Sequence, residues 1–99
     1  MTANEARTIA FDKVGTTYDE GLKNILSYID KRIKEEANKA ELTVSFYIND
    51  LVEAYIRIKS KSLENTIGEY LKKHYEELGF EVSTYRYNVS PDFHLRINW

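Results

Sequence analysis

Few side chains in this 99-residue sequence are equipped for bond-making chemistry. His74 and His94 are its only histidines and it has no cysteine, which removes disulfides, thiol nucleophiles and thiolate metal sites. A closed zinc site would have to draw on carboxylates. His74 falls on the apolar line of a helical segment, the place of a histidine bonded to a neighbour rather than of a general base. Glu35-Glu36 and Glu76-Glu77 are read as helix-surface acids, not as an acid/base pair. Four scattered glycines form no phosphate-cradling loop or nucleophile elbow, and there is no calcium loop. Asn88-Val89-Ser90 matches a glycosylation acceptor, but Pro91 follows it and it is set aside. The expectation is a protein that is not an enzyme and binds without turnover, using no cofactor and no metal.

Non-covalent binding is better provided for. Where strands alternate in period two, one face carries Thr43, Ser45 and Tyr47, another stretch carries Glu81, Ser83, Tyr85 and Tyr87, and the last carries His94, Arg96 and Asn98. Tyrosine rings give π-faces on which a nucleobase can stack, at about 1–3 kcal/mol per base. Arg96 can grip a phosphate with two prongs, and His94 and Asn98 can read polar edges. Arg7, in a weakly apolar N-terminal segment, is a candidate second phosphate contact, brought in by a segment that closes over a ligand. Two other readings of the same face stand beside this one. Tyrosines pack across strands with wet hydroxyls in many sheets, and tyrosine and arginine are also enriched at protein interfaces.

These side chains need a sheet and helices to hold them. Thr2 followed by Glu5, and Thr17 followed by Glu20, have capping-box spacing and predict helices over about residues 2–13 and 18–40. In the second, Leu22, Ile25, Leu26, Ile29, Ile33 and Ala37 make one apolar stripe. Opposite it, Asp30–Lys34 and Glu35–Lys39 have the acid-first spacing of helix ion pairs. Residues 42–48 alternate as a strand with Leu42, Val44, Phe46 and Ile48 inward. Asp50 and Glu53 repeat the capping spacing and predict a helix over about 50–60, against a competing hairpin at Asn49-Asp50. A helix over about 62–78 places Leu63, Ile67, Tyr70, Leu71, His74 and Leu78 on one side, and Gly79 ends it with Phe80 packing back. Strands over about 80–87 and 93–99 follow, joined by a turn across Asn88–Asp92. The predicted fold class is α+β, one domain with a small, mostly antiparallel three-stranded sheet covered by helices on one face.

Composition bounds the partners. There are 14 basic and 16 acidic residues, a net charge of −2. That balance argues against a binder of long nucleic acid, which needs a basic surface to displace counterions, whereas a compact ligand with two phosphates needs few cations. No apolar run approaches a membrane span, and no signal-type segment opens the sequence. A cytoplasmic protein is therefore expected.

Several short stretches, in order, carry a resemblance. They are Thr2-Ala3-Asn4-Glu5-Ala6-Arg7, Glu41-Leu42-Thr43-Val44-Ser45-Phe46-Tyr47, Leu78-Gly79-Phe80-Glu81-Val82 and Leu95-Arg96-Ile97-Asn98-Trp99. Together they resemble small proteins encoded by tailed bacteriophages, whose openings follow T-A-x-E-A-R. The apparent extra helix over 50–61 departs from that pattern. Some such phage proteins act as counter-defence sponges that sequester cyclic di- or oligonucleotide signals of CBASS-type bacterial immunity. The resemblance implies binding in the host cytoplasm without hydrolysis, in a homodimer or higher homo-oligomer. The alternative is a protein–protein inhibitor that covers a host enzyme with the same tyrosine-rich face.

Overall fold

The computed structural model describes residues 1–86 and 92–99. Its elements run α1 (Ala3–Val14), α2 (Tyr18–Asn38), β1 (Thr43–Tyr47), α3 (Ile48–Tyr55), α4 (Lys61–Glu77), β2 (Glu81–Arg86) and β3 (Phe93–Asn98). The strands form one antiparallel sheet in the order β1-β3-β2, which places the last strand in the centre. The α+β class and the one-sided helical cover are as the period-two and helical spacings predict.

The core follows from the pleat. Val44 and Phe46 of β1, Val82 of β2, and Leu95 and Ile97 of β3 are buried against Ile25, Ile29, Ile48, Val52, Ile67, Leu71 and Tyr75 of the helices. α2 lies against β1, α4 against β2 and β3, and α3 fills the space between them. Both expected threonine caps are made: Thr2 Oγ1 accepts from the Glu5 amide and Thr17 Oγ1 from the Glu20 amide, each at 3.1 Å. Gly79 takes the left-handed conformation (φ 96°), and the Phe80 amide donates back to the Tyr75 carbonyl at 3.0 Å. Gly68 has a different reason. A Cβ there would stand 2.5 Å from a Phe93 ring carbon and 3.0 Å from Ile48 Cδ1, so α4 meets the sheet this closely only because glycine lacks one.

Four expectations are corrected. α3 starts at Ile48 rather than 50 and ends at Tyr55 rather than 60, with Tyr47 at its cap position and no side-chain cap bond. Burying Ile48 against the core outweighs the polar start that Asp50 offered, and the hairpin reading falls with it. On α4 the buried line runs through Glu64, Ile67, Gly68, Leu71 and Tyr75. Tyr70 and Leu78 are exposed, and His74 sits half-buried between the rings of Tyr70 and Tyr75. On α2 the ion pairs are Arg32 with Glu35 and Glu36, Lys31 with Glu35, and Lys39 with Glu36, instead of Asp30–Lys34 and Glu35–Lys39. Asp30 instead accepts the Tyr75 hydroxyl at 2.7 Å. Leu42 precedes β1, its carbonyl accepts from the Trp99 amide at 3.0 Å and its side chain is 65% exposed, and Ala37, at the far end of the α2 stripe, is also exposed.

Candidate functional site

The helix-free face of the sheet is ordered in rungs by the strand register. Tyr47, His94 and Tyr85 lie opposite one another in the first rung, Ser45, Arg96 and Ser83 in the second, and Thr43, Asn98 and Glu81 in the third. Five of the seven predicted site residues, Tyr47, Tyr85, His94, Arg96 and Asn98, are thus brought together. Tyr87 lies outside the described residues, as does the predicted turn apart from Asp92.

The aromatic rung has a geometry that spacing alone does not foretell. The His94 ring stands 4.6 Å from the Tyr85 ring with 5° between their planes, and 4.6 Å from the Tyr47 ring at 55°. That separation matches the distance of about 4.8 Å between paired strands, so the three rings stand side by side as a ladder. Both faces of the imidazole are taken. Tyr47 and Tyr85 stand on the two edge strands, each 43% exposed. One rung away, Arg96 Nε donates to Thr43 Oγ1 at 3.3 Å. That bond steadies the guanidinium while leaving its two terminal nitrogens available as donors.

Arg7 does not join this face. With Ala10 and Phe11 of α1, and Tyr18 of α2, it lines a cleft of about 560 Å³ closed on the other side by Ile58, Ser60, Leu63 and Thr66. α1 meets the body through Phe11, its buried residue, whose ring lies edge-on to Tyr18 at 6.2 Å. Within the chain, Arg7 lies in this cleft and Arg96 on the sheet face.

Reading by residue type also missed participants. Arg86 holds the buried carboxylate of Glu64 at 3.3 Å and lies 4.5 Å over the Phe93 ring, serving the β2–α4 seam rather than the open face. Phe11 and Tyr18 form the aromatic corner of the cleft. Their signal was present, since Phe11 is the one aromatic of α1 and Tyr18 directly follows the Thr17 cap. Burial raises the Tyr18 phenol above its ordinary value; nearby Tyr70 and Asp19 push it the same way, and the positive charge of Arg7 opposes them.

Among the described residues no three His, Asp or Glu side chains come together as a metal site, and no helix is long and apolar enough to cross a membrane. No family model, curated protein or solved structure matches the chain.

Proposed function

We propose that this chain is a phage-type counter-defence protein that sequesters a cyclic nucleotide immune signal, without hydrolysing it, on the open face of its sheet. The observation that supports this reading is the Tyr47–His94–Tyr85 ladder standing one rung from Arg96. Tyr47 and Tyr85, each 43% exposed, would bring tyrosine rings to a base, and Arg96 a contact for a phosphate of the same ligand. Ser45, Ser83 and Asn98 add neutral donors and acceptors for base and sugar edges. On this reading the ligand is bound and held intact.

Calorimetric titration against a panel of cyclic di- and trinucleotides tests the reading, with the ligand recovered afterwards by chromatography. Stacking on tyrosine contributes about 1–3 kcal/mol and a charged hydrogen bond about 1.5–3 kcal/mol. Tyr85→Ala combined with Arg96→Ala is therefore expected to weaken binding about a hundredfold or more with the fold intact. Unchanged affinity in that double variant removes the assignment.

A second reading is favoured by one feature. The ladder turns the faces of its central ring inward, so the rung offers ring edges and hydroxyls over a flat surface, which suits a protein partner. A host enzyme captured from lysate and released by the same double variant, with no heat from any nucleotide, would select that inhibitor reading.

A further inference from the structure

The cleft under α1 is built from different residues from those of the sheet face, and it has its own chemistry. Its volume of about 560 Å³ is within the range of about 300–1,000 Å³ typical of small-ligand sites. One wall is an aromatic corner, with Phe11 and Tyr18 edge-on to each other at 87°. Such a corner receives a third planar ring by its face on one side and its edge on the other. Ile58 and Leu63 continue the apolar surface.

Five of the nine lining residues carry polar side chains, and Thr66 already donates its hydroxyl to the Ser62 carbonyl at 3.1 Å. Arg7 lines the cleft and makes no ion pair among the described residues. Ser60 accepts from the Leu63 amide but keeps its hydroxyl proton to donate. The segment that forms the far wall carries Arg57, Lys59 and Lys61 at alternate positions with no acid between them. None of the three is in an ion pair among the described residues, and Lys59 faces a second pocket that Glu53 and Glu64 also line.

We propose that this cleft is a separate binding site for a small organic phosphate carrying a planar ring, with the ring against Phe11 and Tyr18 and the phosphate on Arg7. The proposal does not depend on the sheet face. Arg7 supplies the two-pronged contact that suits a phosphate, and Ser60 adds a neutral donor.

The probe is adenosine 5′-monophosphate titrated into the isotope-labelled full chain and followed by NMR, with adenosine and inorganic phosphate as controls. The expected result is saturable shifts at Phe11, Tyr18, Leu63 and Thr66, with each control binding at least tenfold more weakly. Arg7→Gln should weaken the monophosphate at least tenfold and leave adenosine unchanged. The proposal is overturned by no saturation at millimolar monophosphate, by adenosine or phosphate binding equally well, or by shifts centred on Tyr47 and His94 instead. Because the native chain reports through two separate sets of residues, failure here and failure of the sheet-face reading are told apart. A variant that does not fold leaves the mapping on the native chain decisive.

Discussion

Tyr75 shows how one side chain ties the helical layer together. It is fully buried, yet its hydroxyl reaches the α2 surface and donates to Asp30 at 2.7 Å. Burial first, and the bond to the Asp30 carboxylate second, hold its proton far more tightly than the ordinary tyrosine value of 10.0. The unfolded chain therefore loses that proton before the folded one does, and stability is present below pH 10 and falls as pH rises past it. Chemical denaturation between pH 8 and 11.5 is expected to show a loss approaching about 1.4 kcal/mol per pH unit above pH 10 from this group. Tyr75→Phe should remove that part of the slope and cost about 1 kcal/mol at neutral pH through the lost hydrogen bond. A variant as stable as the parent at pH 7, with the slope unchanged, would contradict the assigned role. At the same scale, Arg96 and the ladder tyrosines are the residues on which nucleotide binding is proposed to rest.

Elements place these residues, and two junctions test how. α4 lies on the sheet through Gly68, where a methyl group would meet the Phe93 ring and Ile48. Gly68→Ala is expected to destabilise by about 1–3 kcal/mol, as overpacked cores do, although alanine is the better helix former. Denaturant midpoints check this, and a stabilised variant would show that the seam yields. α1 is held by Phe11, so Phe11→Ala should speed hydrogen exchange across Ala3–Val14 and leave exchange in β3 unchanged. Equal acceleration in both would mean that α1 is integral to the core.

How much of this was legible depended on where the deciding force lay. The threonine caps, the Gly79 stop and the period-two faces are local signals, and they placed α2, α4 and all three strands to within a residue or two. The end of α2 at Asn38 had no such mark, because Ala40 adopts the left-handed conformation (φ 62°) that usually signals glycine. Likewise α3 begins where Ile48 can reach the core, which no capping pattern encodes. That five of the predicted residues share a face was legible because alternation assigns faces without knowing strand order. The ladder was not, since it needs β3 between β1 and β2, and the separation of Arg7 from the face is set by tertiary docking of α1.

At the scale of the whole molecule the chain is extended. It measures 50 × 30 × 21 Å with a radius of gyration of 14.4 Å, against about 13 Å for a compact domain of this size. Its accessible surface of 6653 Å² exceeds the roughly 5,800 Å² that its mass of 11.6 kDa would give. α1, exposed along most of its length, and the open sheet face are surfaces a second copy could cover. The proposed homo-oligomer should sediment at a multiple of 11.6 kDa. With a net charge of −2, no binding to a 50-base-pair duplex is expected at 150 mM salt, since counterion release would contribute little.

The most direct test of the sheet-face account is calorimetric titration of the intact protein with cyclic dinucleotides, repeated on Tyr85→Ala with Arg96→Ala. The account predicts saturable binding, a ligand recovered unaltered, and about a hundredfold loss in the double variant. Binding that survives the double variant, or a ligand returned in cleaved form, would contradict it.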